Sequence, residues 1–139
     1  MPNEAVLIDS SFLYALYNER EPDHDECLEI IRRRPIQIIP DVVLVEVAFL
    51  FRRFGGERAV RVFLETLERN TRRLEAITQA DLTRVRQIME DYAGARLDFV
   101  DCCIMALTER LNIRQVCTLD RRDFPIFRPK HCPFLELLP

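Results

Sequence analysis

Acidic side chains at four separated places in the chain are the residues best suited to chemistry. Asp9 and Asp120 each follow a short apolar run, Glu46 interrupts a long one, and Asp101 lies near the start of another. Carboxylates about 4 Å apart repel each other by roughly 4 kcal/mol per pair at an effective dielectric near 20. If these four converge, cations must compensate, and an all-oxygen ligand set selects hard ions such as Mg²⁺ or Mn²⁺.

Each acid also has an ordinary structural interpretation. Asp9 can cap a helix, Asp101 can interact favourably with a helix dipole, and Asp120 can occupy a turn. A fifth acid, Asp98, is explained equally well by capping and by metal binding, so it ranks below the other four. Glu46 is harder to explain structurally, because apolar residues surround it in sequence and an ionised carboxylate among them needs a partner. Arg53 is one alternative partner, and a metal ion is the more economical one.

Metal-bound carboxylates imply a particular reaction. Divalent ions held in this way activate a bound water and stabilise charge on a phosphoryl group, so phosphodiester hydrolysis needs no nucleophilic side chain. Ser11 and Thr118 are candidates for hydrogen-bonding the carboxylates or the water, although helix capping explains Ser11 about as well. Arg121 and Arg122, beside the last acid, are the best candidates for contacts with substrate phosphates.

Short strands that alternate with helices must position these residues. Apolar runs predict strands at 5–8, 36–39, 74–77 and 113–117, with a possible edge strand at 134–137. Helices are predicted at 12–17, 23–34, 42–54, 57–69, 78–92 and 99–111. The pattern predicts an α/β fold with three layers, α/β/α, around a central parallel sheet of four to five short strands. Because ligand sites in such sheets lie beyond the carboxyl ends of the strands, Asp9 and Asp120 are expected at that edge.

Length and composition narrow the function classes. The 139 residues suit one domain, 1–139, and the three glycines form no GxxxxGK or GxGxxG loop for a nucleotide phosphate. The five cysteines lack CxxC spacing, which supports neither a disulfide framework nor a zinc site and predicts ordinary packing. Residues 1–4 form no basic region and the first apolar run is far too short to cross a membrane. We therefore expect a cytoplasmic protein without membrane association.

The charge balance bears on nucleic-acid binding. The net charge of −3 argues weakly against attachment to nucleic acid by bulk electrostatics. Setting the five site acids aside leaves the rest of the chain slightly basic. Nearly all of this positive charge is arginine, which suits bidentate phosphate contacts.

Four segments, 6–11, 45–47, 101–106 and 118–124, together resemble the PIN domain family, especially its VapC-type toxins. The resemblance runs from about residue 6 to residue 124 and implies a parallel sheet with flanking helices and Mg²⁺- or Mn²⁺-dependent ribonuclease activity. The family's four acids match Asp9, Glu46, Asp101 and Asp120, and Asp98 is an extra acid near the third. The resemblance also implies an RNA substrate, a homodimer, and a small antitoxin whose basic residue enters the acidic pocket.

Other functions remain as alternatives. A catalytically silent PIN fold that binds RNA or a protein is the serious one, although retention of all four acids favours an enzyme. A phosphatase of the haloacid dehalogenase type needs a second acid where Ser11 stands, and a response-regulator receiver needs an acidic pair at the first strand. Both of these patterns fit poorly.

Overall fold

The central feature of the computed structural model, which describes residues 5–139, is a parallel sheet of five short strands. The strands are β1 (Ala5–Ile8), β2 (Ile36–Pro40), β3 (Arg73–Glu75), β4 (Gln115–Cys117) and β5 (Glu136–Leu138). Their order is β3-β2-β1-β4-β5, and every neighbouring pair is parallel. The chain therefore builds one side of the sheet first and then crosses β1 to build the other. Residues 1–4, where no targeting segment was predicted, lie outside the described residues.

Five α-helices accompany the strands within the described part of the chain. They are α1 (Ser10–Tyr17), α2 (His24–Arg32), α3 (Asp41–Arg69), α4 (Gln79–Asp91) and α5 (Phe99–Leu111), with a short 3-10 turn at Ala93–Ala95. The α/β class and the parallel sheet agree with the prediction from sequence. The predicted helices 42–54 and 57–69 follow one another directly in α3, across a kink at Gly56, whose φ of 72° is the left-handed region that favours glycine.

The core lies around β1 and α5. All four residues of β1 are buried, and because successive side chains of a strand point to opposite faces, both faces of the sheet are covered there. The two adjacent cysteines of α5, Cys102 and Cys103, have no exposed surface and carry free thiols, as packing residues should. Among residues 5–139, no helix is both long and apolar enough to span a membrane.

Candidate active site

The strands that precede Asp9 and Asp120, β1 and β4, lie side by side at the point where the strand order reverses. Ile8 of β1 pairs with Cys117 of β4, and the backbone N–H of Asp9 donates to the Cys117 carbonyl at 2.9 Å. Asp9 and Thr118 therefore leave the sheet next to each other at its carboxyl edge. This is the place where open parallel sheets bind their ligands.

Asp9 is both a helix cap and a member of the acidic site. One carboxylate oxygen, Oδ1, accepts from the backbone N–H of Ser10 at 2.7 Å, and Oδ2 accepts from the Thr118 hydroxyl at 2.7 Å. Burial raises the pKa of Asp9 above its ordinary value, the hydrogen bonds from Thr118 and Ser10 oppose that rise, and the charge of Glu46 adds to it. The capping and functional interpretations of Asp9 are thus compatible.

Thr118 connects the two strand-end acids. Its fully buried hydroxyl donates to Asp9 and accepts from the backbone N–H of Asp120 at 3.0 Å. The Ser11 hydroxyl lies 3.4 Å from that of Thr118 and accepts from the backbone N–H of Leu119 at 3.0 Å. Ser11 therefore braces the loop after β4, and Thr118 orients a carboxylate directly.

Three carboxylates form the tightest acidic group among the described residues. Oxygen atoms of Asp101, Asp120 and Asp123 all lie within 4.8 Å of one another, with Asp101 and Asp123 buried and Asp120 partly buried. Asp101 occupies the first turn of α5, and the other two belong to the loop after β4. Asp123 was not among the residues predicted for the site. Its signal was a second acid three positions after Asp120, followed by the apolar Phe124.

The pKa of Asp101 shows that burial and the neighbouring acids strongly disfavour its ionised form. Burial raises the pKa of Asp101 to about 9, assisted by the Asp9 charge, by a hydrogen bond with Asp123 and by the charges of Asp120 and Asp123. A carboxyl group in this state is neutral at pH 7 unless a cation is present. An oxygen-only donor set under mutual repulsion fits a hard divalent cation.

Glu46 shares this site but not for the reason suggested by the sequence. It is half-buried and lines an acidic cleft of about 280 Å³, whose walls are Asp9, Ser10, Ser11, Glu46, Asp98, Asp101, Asp120, Arg122 and Asp123. The expected apolar surroundings are only partly present: Val42 and Leu50, four residues to either side, pack against the core, whereas Val45 and Phe49 are 74% and 61% exposed. The outer face of α3 is apolar yet solvent-facing. In residues 5–139 Glu46 forms no ion pair with Arg53, whose guanidinium carbon lies 5.5 Å from the Phe54 ring centroid.

Asp98 caps α5 at the rim of the cleft. Its Oδ2 accepts from the backbone N–H of Val100 at 3.1 Å, and its own backbone N–H donates to Asp123 Oδ2 at 2.9 Å. The residue is exposed, unlike Asp101 and Asp123. Capping accounts for its position, and Asp98 also holds the buried acid Asp123 in place.

The two arginines predicted to bind phosphate already have partners within the protein. Arg122 donates to Asp123 Oδ1 at 2.7 Å and to the Ala95 carbonyl at 2.9 Å. Arg121 donates to the Thr118 carbonyl at 2.9 Å and to the Pro139 carbonyl. Arg122 lines the cleft, so it partly offsets the acidic charge, whereas Arg121 ties the loop after β4 to the end of the chain. Their contact with substrate remains a prediction.

Comparison with known proteins adds a family to this geometry. Residues 6–128 match the model of the PIN domain family. The chain is 28% identical over 127 residues to ribonuclease VapC26 of Mycobacterium tuberculosis. The alignment spans 89% of this chain and 93% of that protein. Residues 6–128, which match the family model, contain every acid that lines the cleft.

Solved structures share the fold. VapC20 of M. tuberculosis, described as a toxin that cleaves the sarcin-ricin loop, superposes with a TM-score of 0.72 at 20% identity, covering 80% of this chain and 86% of that one. A toxin-antitoxin complex from Klebsiella pneumoniae gives a TM-score of 0.64 at 22% identity, covering 86% and 89%. At these identities the likeness is one of fold, and it agrees with the sheet described above.

Proposed function

Because the chain belongs to the PIN domain family, we propose that it is a divalent-metal-dependent ribonuclease that hydrolyses RNA phosphodiester bonds. The observation that carries the proposal is the acidic cleft where the strand order reverses, in which burial and the charges of neighbouring acids raise the pKa of Asp101 to about 9. Such a cluster of carboxylates is costly to fold unless cations offset its charge. Similarity to a protein named as a ribonuclease supports RNA as the substrate.

The residues of the cleft divide into two groups for metal binding. Asp101, Asp120 and Asp123 are close enough to share one Mg²⁺ or Mn²⁺ ion. Asp9 and Glu46, which line the same cleft, supply further oxygen ligands. When bound, such an ion activates a water molecule and offsets the charge that develops on the phosphoryl group.

The protein's own contribution is to hold these oxygens in fixed positions. Thr118 and Ser10 fix both oxygens of Asp9, while Arg122 and the backbone of Asp98 fix those of Asp123. Side chains locked by such supporting bonds keep a site in its productive geometry. Ligand carboxylates must also be ionised, so metal binding requires loss of the Asp101 proton.

The partners follow from the same site. We propose that the protein is the toxin of a toxin-antitoxin pair and that a basic side chain of a small antitoxin pairs with the acids of the cleft. The presence of a toxin-antitoxin complex among the proteins of similar fold supports this. A homodimer belongs to the same proposal and rests on the family resemblance, and the cytoplasmic location expected from the sequence stays a prediction.

RNA cleavage by the purified protein tests the activity. Single-stranded RNA should be cut with Mn²⁺ or Mg²⁺ and left intact with EDTA. Asp101→Asn should lower the rate at least about 100-fold, because even partners outside the ligand set are worth 10- to 100-fold. Asp25→Asn, an exposed acid in the first turn of α2, is the matched control and should retain full activity.

Two outcomes would contradict the proposal. Undiminished cleavage by a folded Asp101→Asn protein would place the chemistry elsewhere. Metal-independent binding of RNA without any cleavage would instead identify a catalytically silent fold.

A further inference from the structure

An exposed apolar surface on α3 adjoins the acidic cleft. Val45 and Phe49 are 74% and 61% exposed, and with Leu50 they line a second cavity of about 390 Å³. Ser10 and Glu46 line both this cavity and the acidic cleft. A chain that occupies the cleft therefore passes directly onto this surface, which we call the α3 ledge and define by Val45, Phe49 and Leu50.

The residues along the ledge change in chemistry with distance from the cleft. Glu46, Phe49 and Arg53 follow one another at spacings of three and four residues in α3, so each lies beside the next on the helix surface, about 5–6 Å apart at Cβ. Phe49 and Arg53 are both exposed. Moving outward, a carboxylate at the acidic cleft is followed by an accessible aromatic ring and then by a guanidinium.

This order of an acidic cleft, an aromatic ring and a cation matches the order of phosphate, base and next phosphate along a single-stranded polynucleotide. We propose that Phe49 stacks against a base of the RNA whose scissile phosphate lies in the acidic cleft, and that Arg53 contacts a neighbouring phosphate. The inference rests on the proposed ribonuclease function and names the residues that hold its substrate. Aromatic rings that stack bases beside basic side chains are the usual means by which proteins hold single strands.

Charge along α3 favours a nucleic acid over an apolar protein segment at this ledge. Exposed Arg52 and Arg53 close its outer end, and Phe49 is the aromatic side chain that lines its cavity. An apolar helix or strand would need a longer uncharged face, whereas a base with its charged backbone fits a ring that has cations on the side away from the cleft. The ring lets the site hold RNA without reading its sequence, because every base has a π-face.

The absence of tryptophan from the chain provides a direct measurement. F49W in the otherwise wild-type protein places a single fluorescent indole on the ledge and leaves the metal ligands intact, so the fluorescence is read on rapid mixing, before the RNA is cut. Titration with a short oligoadenylate in Mn²⁺ should quench this fluorescence. The control is F134W in the same background, because Phe134 is 66% exposed and lines neither the cleft nor the ledge. Its fluorescence should not change.

Activity variants separate stacking from simple apolar contact. F49A and F49L should lower kcat/KM for RNA cleavage by about 5- to 100-fold, the range expected for loss of one base–aromatic stack, whereas F49Y should retain it. R53A should weaken RNA binding and reduce its salt dependence.

The results distinguish failure of this inference from failure of the nuclease assignment. Cleavage by the wild-type protein without quenching of F49W would overturn the stacking role and leave the nuclease intact. Quenching without cleavage by the wild-type protein would support the stacking role and reject the nuclease. Equal RNA cleavage by F49L and the wild-type protein would also overturn the inference.

Discussion

Replacing Asp101 by asparagine should stabilise the metal-free protein while removing most of the stabilisation that Mn²⁺ provides. In the folded protein, burial and neighbouring acids raise the pKa of Asp101 to about 9. In the unfolded chain it returns to about 3.9. Between these pH values the folded state binds a proton that the unfolded state does not. The contribution of Asp101 to the free energy of unfolding is therefore fully present below about pH 3.9 and is lost as the pH rises toward 9.

The magnitude follows from this interval. Each pH unit costs about 1.4 kcal/mol, so the ceiling at pH 7 is about 4 kcal/mol. The cleft opens to solvent, which screens part of the effect, and we expect about 2 kcal/mol. Asparagine has no charge to suppress and keeps an N–H donor toward Asp123. At roughly 3 °C per kcal/mol for a domain of this size, the metal-free Tm should rise by about 6 °C.

Binding of Mn²⁺ should remove the difference in Tm between Asp101→Asn and the wild-type protein, or reverse it. A ligand at 100 times its Kd stabilises the folded state by about 2.7 kcal/mol. The wild-type protein should gain this stabilisation in saturating Mn²⁺, whereas Asp101→Asn, which lacks a charged ligand, should gain little. Asp101→Asn should therefore melt higher in EDTA and the wild-type protein should match or exceed it in Mn²⁺.

Thermal melts between about pH 5 and pH 8 measure both effects. Asp25→Asn is the control, because its exposed carboxylate should leave the pH dependence and the Mn²⁺ response unchanged. If Asp101→Asn melted no higher than the wild-type protein in EDTA near pH 8, the raised pKa of Asp101 would be refuted as a cost to stability. The role of Asp101 as a metal ligand would be refuted if Mn²⁺ stabilised the two proteins equally.

Three further changes test other parts of the structure. Gly56→Ala should cost about 1–3 kcal/mol of unfolding free energy in urea, because φ is 72° at this residue. Gly94→Ala should be nearly neutral, because an added Cβ contacts no atom at either glycine and φ is not positive at Gly94. Thr118→Val should cost about 1–3 kcal/mol and slow RNA cleavage by releasing Asp9, while Thr118→Ser should preserve both; equal effects would disprove the hydroxyl's role. Arg122→Ala should flatten the salt dependence of RNA binding if this arginine contacts phosphate, and an unchanged slope would confine it to holding the site acids.

The sheet and two of its acids were predictable because buried parallel strands appear in the sequence as continuous apolar runs. The run at 5–8 forms β1, and the run ending at Cys117 forms β4. Asp9 and Asp120 then follow from the rule that strand ends carry the site. In segment 42–54 the β-branched residues favour a strand, yet the length of the segment and the two glycines that follow it correctly indicate a helix.

Glu46 shows where reasoning from local sequence fails. Apolar neighbours suggested burial, but Val45 and Phe49 face solvent, because periodicity identifies a helix face without telling what covers it. The residue nevertheless reaches the cleft. Its place there depends on how α3 packs beside α1, which no local pattern encodes.

Asp123 was missed for a related reason. The chain turns after β4 so that Asp120 and Asp123 both face Asp101, and the buried Phe124 anchors that turn. Spacing alone left Asp123 as an ordinary loop residue. The same turn directs Arg121 and Arg122 toward backbone carbonyls and Asp123, partners that a sequence does not reveal.

The most direct test of the acidic cleft as a metal-dependent nuclease is the chemical nature of the RNA ends that it produces. If a water molecule activated by a carboxylate-bound ion attacks the phosphorus, the product end groups are a hydroxyl and a linear phosphate monoester. A substrate with a 2′-deoxy sugar at the cut site should still be cleaved. A 2′,3′-cyclic phosphate end would show that the RNA's own 2′-hydroxyl is the nucleophile and would contradict this account.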